Sequence, residues 1–185
     1  PNGSVITSTY DDMERLISKN IVTGSGVGGI TSENYSYDSL GRLVSSTDSN
    51  NHTVSFSYDS LNRLVSETQS GSVVSYTYDN NNNLLSINNG NGKITSYIYD
   101  DLNRVIEIKL GNDTIAEYSY SGLENTSIDY GNSKEITKTY DALMRITGLN
   151  NGVKNYTYSY DDVSNIISDS YKNYTFDDVY RLTEV

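Results

Sequence analysis

Along most of this chain, aromatic or aliphatic residues alternate with small polar ones. The pattern is clearest in Tyr35-Ser36-Tyr37, Phe56-Ser57-Tyr58, Tyr76-Thr77-Tyr78, Tyr97-Ile98-Tyr99, Tyr118-Ser119-Tyr120, Tyr158-Ser159-Tyr160 and Tyr174-Thr175-Phe176. Aromatics at i and i+2 share one face of a strand, whereas a helix would set them about 200° apart. The alternation therefore predicts β-strands, each carrying a pair of rings on one face. Anchoring on Tyr10, Tyr37, Tyr58, Tyr78, Tyr99, Tyr120, Tyr140, Tyr160 and Phe176 gives intervals of 27, 21, 20, 21, 21, 20, 20 and 16 residues. A period near twenty holds one hairpin, which cannot bury an apolar face without stacked neighbours.

The residues after each anchor predict a turn. Asp follows it everywhere except at Ser121, and both side chains accept hydrogen bonds from main-chain N–H groups two residues on. An apolar residue stands three places after the anchor, at Met13, Leu40, Leu61, Leu102, Leu123, Leu143, Val163 and Val179, with Asn81 the exception. The fourth place holds Gly41, Asn62, Asn82 and Asn103, the residue types that best tolerate positive φ. Glu14, Glu124, Met144, Ser164 and Tyr180 occupy that place elsewhere and predict a varied or strained turn. The return strand opens with Arg15, Arg42, Arg63, Arg104, Arg145 or Arg181, replaced by Asn83, Asn125 and Asn165. An arginine recurring five residues from an aromatic predicts a guanidinium lying on a ring or bonded to the turn carboxylate, a structural role rather than ligand binding.

Opposite turns are marked by Asn50-Asn51, Ser70-Gly71, Asn89-Gly90-Asn91-Gly92, Gly111-Asn112, Gly131-Asn132 and Asn151-Gly152, strong hairpin signals. One unit then reads strand 94–99, turn 100–103, strand 104–110 and turn 111–113. The long first interval predicts an enlarged loop over 24–29, and the short last one an abbreviated turn around Lys172-Asn173. Chained hairpins predict an all-β antiparallel meander, a single array over 1–185. With about sixteen strands it must curve or coil into a partial shell or barrel-like wall, because twist accumulates. Adjacent apolar residues such as Leu43-Val44, Leu64-Val65 and Leu84-Leu85 predict apolar groups on both sheet faces and hence two partly covered faces.

The phrase Tyr-Asp-x-Leu-x-Arg-Leu, best seen at 37–43, 58–64 and 99–105, resembles the YD repeat of bacterial Rhs and wall-associated proteins, Tc toxin shells and teneurins. The resemblance covers nearly the whole chain. It implies a long sheet spiralling into a hollow shell, which in polymorphic toxins encloses a toxic C-terminal polypeptide and in teneurins serves surface recognition. It implies a non-enzymatic scaffold here, secreted or at a bacterial cell surface, with the rest of the parent shell and a toxin cargo as partners. The repeat residues carried by the resemblance are Tyr37, Asp38, Arg42, Tyr58, Asp59, Arg63, Tyr78, Asp79, Tyr99, Asp100, Arg104, Tyr140, Asp141, Arg145, Tyr160 and Asp161. The family's Asp-Pro plug has no counterpart, since the only proline is Pro1. The chain reads as a piece of something longer, a segment of wall.

Composition narrows the alternatives. The 185 residues include 18 Tyr, 2 Phe, no Trp and no Cys, which excludes disulfides and thiolate metal sites. A net charge of -11 without a basic cluster argues against nucleic acid. No apolar run is long enough to predict a membrane-spanning helix. Mean hydropathy of -0.55 predicts a thin, partly polar core with stability spread along the array.

No catalytic, cofactor or metal residue is predicted. His52 follows Asn50-Asn51 in a turn and lacks a nucleophile phrase. The pairs Asp11-Asp12, Asp100-Asp101, Asp161-Asp162 and Asp177-Asp178 could offer oxygens to calcium, but no loop has the spaced series such a site requires. A second reading is a carbohydrate-binding adhesin whose tyrosines stack on sugar rings. Exposed sheet edges also allow self-association.

Overall fold

The computed structural model describes residues 3–24 and 28–185. Pro1 and the centre of the predicted enlarged loop, Ser25, Gly26 and Val27, lie outside them. The described chain is all-β, and no helix occurs in it. It divides into two compact units, Pro1–Ile94 and Thr95–Val185.

The first unit contains β1 (Val5–Tyr10), β2 (Leu16–Val22), β3 (Ser32–Tyr37), β4 (Leu43–Asp48), β5 (Thr53–Tyr58), β6 (Leu64–Gln69), β7 (Ser72–Tyr78) and β8 (Leu84–Asn88). The second opens with β9 (Ile94–Tyr99) and continues through β10 (Val105–Leu110), β11 (Asp113–Ser121), β12 (Glu124–Tyr130), β13 (Lys134–Tyr140), β14 (Ile146–Asn150), β15 (Asn155–Tyr160) and β16 (Ile166–Asp169). A last hairpin, β17 (Thr175–Phe176) with β18 (Leu182–Glu184), forms its own two-stranded sheet. Within each unit consecutive strands pair antiparallel in chain order, and neither meander closes into a barrel.

Each strand pair that flanks an aspartate turn carries a register shift at its aromatic anchor. Tyr37 faces Leu43 while Ser36 faces Ser45, Tyr58 faces Leu64 while Ser57 faces Ser66, and Tyr160 faces Ile166 while Ser159 faces Ser168. This β-bulge sets two residues against one and resets the alternation. Adjacency of Leu43 and Val44 therefore does not place them on opposite faces as a regular strand would.

The two faces of the first unit differ in chemistry. Registers Ser36↔Ser45↔Ser55 and Ser57↔Ser66↔Ser75, then Thr77↔Ser86, bring hydroxyls into rows on one face. The hydroxyls of Ser36 and Ser45, and of Thr77 and Ser86, are 2.6 Å apart. The opposite face carries Val54, Phe56 and Tyr58, all half-buried. Interior is scarce. Ala116, 2% exposed, is the one buried apolar residue among those described, so the fold rests on many half-buried rings.

Candidate functional site

The repeated turn is the most elaborate constellation in the chain, and Asp59 shows how it is built. Its Oδ1 accepts hydrogen bonds from the main-chain N–H of Leu61 at 2.9 Å and of Arg63 at 3.0 Å. Its Oδ2 accepts from Arg63 Nε at 2.7 Å. The main chain closes the turn through Asn62 N–H to the Asp59 carbonyl and Asp59 N–H to the Arg63 carbonyl. Asn62 takes a φ of 66°, a region that side chains with a short polar group tolerate best. One carboxylate thus satisfies three donors that would otherwise face water.

The same carboxylate–guanidinium pair joins Asp38 to Arg42, Asp100 to Arg104 and Asp141 to Arg145, with Nε–Oδ2 distances of 2.7 Å. Asp79 and Asp161 bind the shorter side chains of Asn83 and Asn165 at 2.8 Å. Hydrogen bonding from the Arg63 main chain, with its guanidinium, holds the Asp59 carboxyl below its usual 3.8, against partial desolvation. For Asp100 the Arg104 side chain is the leading cause. At Asp141 desolvation is the largest influence and pushes upward, but the bonds from Arg145 together outweigh it.

Five of the arginines also reach beyond their own turns. The Arg42 guanidinium lies 4.7 Å from the centre of the Tyr58 ring, and Arg63 lies at the same distance from Tyr78. Arg15 over Tyr37, Arg104 over Tyr120 and Arg145 over Tyr160 repeat the arrangement at 4.7, 4.1 and 4.5 Å. Nη1 then donates to a carbonyl of that next turn: Arg63 to Asp79 at 2.8 Å and Arg145 to Asp161 at 2.9 Å, while Arg104 meets Gly122. In return the tyrosine hydroxyl donates to the strand just after the preceding arginine. Tyr58 bonds the Leu43 carbonyl at 2.9 Å, Tyr78 that of Leu64 at 3.0 Å and Tyr160 that of Ile146 at 2.7 Å. Tyr140 bonds Asn125 in the same way at 2.8 Å. Tyr99 ends β9 opposite Val105, beside the Asp100 turn. Every predicted repeat residue therefore stands in a hairpin turn or at the strand position facing it.

Four of the unusual turn closers keep the left-handed backbone without a favourable side chain: Glu14, Met144, Ser164 and Tyr180 have φ of 60°, 63°, 74° and 63°. Glu124 departs from this expectation. Ser121 pairs directly with Glu124, and the loop shrinks to Gly122-Leu123, because Gly122 takes the positive φ of 60° two residues earlier. Asn125, freed from that turn, donates to the Ser119 and Ser127 carbonyls.

One site escaped the sequence reading. Asp48 builds the same turn on the opposite edge, accepting from the N–H groups of Asn50 and His52, while Asn51 takes a φ of 62°. His52 Nδ1 lies 3.0 Å from Asp48 Oδ2, where an arginine stands elsewhere. The shared Asp-x-x-Asn spacing at 48–51 was the available signal. The acidic pairs divide similarly: Asp11, Asp100, Asp161 and Asp177 hold their turns, and their second members point to no shared centre among the described residues.

The model of the RHS Repeat family matches residues 37–71 and 78–115, the stretches in which this turn is most regular. Residues 37–71 and 78–115 carry RHS repeats. The chain is similar in fold to the crystal structure of TcdB2-TccC3-TEV, with a TM-score of 0.70 and 18% identity over 98% of this chain and 12% of that one. The same components without a hypervariable C-terminal region give a TM-score of 0.67 at 20% identity, covering 95% of this chain and 12% of that one. The Tc holotoxin pore of Photorhabdus luminescens gives 0.69 at 17% identity, covering 98% and 12%. The array thus spans about an eighth of the length of those chains, at 12%. No curated protein matches it.

Proposed function

We propose that this RHS-repeat array is a non-enzymatic segment of shell wall, whose parent encloses or displays a toxin or surface module. The observation that carries this reading is the relay from one hairpin to the next. The polar groups of the motif are spent on closing a turn or on clamping the following repeat, as in Asp59–Arg63–Tyr78. A wall needs such joints between units more than it needs a deep core. The fold shared with Tc toxin chains supports the same reading. In this reading the rest of the parent shell and a polypeptide cargo are its partners, and its place is that of a secreted bacterial toxin component or a cell-surface protein.

Protease protection of the parent polypeptide tests the reading. With the array intact, the region it encloses should resist digestion under native conditions. Replacing Arg42, Arg63, Arg104 and Arg145 together by Ala should expose that region. Equal digestion of the two proteins would sink it. The glycan-binding reading has less support, because a guanidinium covers one face of each of five repeat tyrosines.

A further inference from the structure

The short loop after Tyr120 changes which residue stands in the arginine's place. In the regular hairpin Tyr58 faces Leu64, so Arg63 is the residue just before the anchor's partner. Tyr120 faces Asn125, which puts Glu124, not Asn125, at the position that Arg63 holds. The hydroxyl bonds agree: Tyr78 donates to the Leu64 carbonyl and Tyr140 to that of Asn125. The joint between β12 and β13 is thus charge-reversed. A carboxylate occupies the position from which a guanidinium covers Tyr37, Tyr58, Tyr78, Tyr120 and Tyr160 elsewhere.

The space that an arginine fills in those joints is open here. Glu124, Tyr140, Asp141 and Met144 border a cavity of about 490 Å³. Glu124 is half-buried, and its carboxylate accepts no hydrogen bond and makes no ion pair among the described residues. The neighbouring charges are committed elsewhere: Lys138 Nζ donates to Asn125 Oδ1 at 3.1 Å, and Asp141 Oδ2 accepts from Arg145 Nε at 2.7 Å. Burial and, after it, the Glu124 charge push the Tyr140 phenol above its ordinary range, so the field of that carboxylate reaches the ring.

We propose that this gap binds the guanidinium of an arginine side chain supplied by another polypeptide. The filled joints define the pose. The guanidinium lies over the Tyr140 ring and donates to the Asp141 carbonyl, as Arg63 Nη1 does to that of Asp79 and Arg145 Nη1 to that of Asp161. Elsewhere the turn aspartate of the arginine's own hairpin holds the other side of the group. Ser121 replaces that aspartate here, and Glu124 supplies the carboxylate. Met144 closes the turn without an acceptor, whereas Asn62, Asn82 and Ser164 each bond an incoming Nη1. Carboxylate, carbonyl and ring together suit a flat, forked cation better than a compact ammonium. The net charge of -11 draws basic segments toward the chain.

N-acetyl-arginine amide, titrated into the full chain and followed by NMR of the Tyr140 ring and the amides of residues 141–144, tests the assignment. Saturable shifts confined to that joint are expected, with a Kd of about 1–10 mM. The neutral citrulline analogue should give none, and the lysine analogue should bind about threefold more weakly or worse. Glu124→Gln should weaken binding about threefold, while Glu124→Arg, which brings a cation from within, should abolish it and raise the melting temperature. No saturable shift, equal binding of the citrulline or lysine analogue, or binding indifferent to Glu124→Gln would each overturn the proposal. It does not rest on the shell reading, which protease protection tests separately.

Discussion

Arg63 and Tyr78 belong to different hairpins, yet the guanidinium of the first lies 4.7 Å from the ring centre of the second. The same guanidinium neutralises Asp59 and donates to the Asp79 carbonyl. One side chain thus closes its own turn and holds down its neighbour's.

Removing that side chain should cost more than an ordinary surface substitution. Arg63→Ala is expected to lose about 1–3 kcal/mol, from the cation–ring contact and the charge-assisted bonds together. Arg63→Lys should recover only a minor part, because an ammonium cannot fork between carboxylate and carbonyl. Urea unfolding of the three proteins measures both differences.

The ring and its hydroxyl separate cleanly. Tyr78→Phe keeps the ring and loses the bond to the Leu64 carbonyl, an expected loss of about 1 kcal/mol. Tyr78→Ala should lose about 2–3 kcal/mol, since the ring is half-buried rather than enclosed. Equal effects in thermal melts would mean that the ring contributes nothing to packing.

Met144 holds a φ of 63° with its side chain 62% exposed, so the position carries backbone strain without packing to offset it. Met144→Asn should stabilise the protein by about 0.5–1 kcal/mol. The matching replacement Asn62→Met should destabilise by a similar amount. Circular dichroism melts of the two variants read opposite shifts.

Acid should loosen the array. The carboxyls of Asp38, Asp59 and Asp100 are held below their usual 3.8 in the folded protein, through hydrogen bonds from Arg42, Arg63 and Arg104. The unfolded chain therefore binds protons first as pH falls. Their stabilisation is complete above the unfolded carboxylate range and disappears as pH drops through the folded values. Melting temperature should hold steady down to about pH 5 and fall steeply below about pH 4. Asp59→Asn should flatten part of that fall.

Strands and turns were legible because both are local. A ring at i and i+2, an acceptor one residue later and a small residue at the fourth place define a hairpin within seven positions. The strand over Ile94–Tyr99 and its return to Leu110 follow from that alone. Two features were not legible. The bulge at each anchor leaves no mark in composition, so Leu43 and Val44 read as opposite faces until register showed otherwise. The partner of each arginine could not be chosen either: a ring five residues back and a ring 15 residues ahead, as from Arg63 to Tyr78, are equally plausible from spacing, and only pairing of β6 with β7 brings the second into reach. The tighter loop after Tyr120 is marked only by Gly122, two places after the anchor, whose positive φ replaces the one that spacing alone assigns to Glu124.

Because each of the five arginine clamps spans the boundary between adjacent hairpins with a guanidinium over the next ring, an extra copy spliced in at that boundary meets compatible surfaces before and behind. Deleting one copy likewise leaves the flanking pair able to join. Such an architecture can change length by whole repeats through duplication or loss, without any compensating substitution elsewhere.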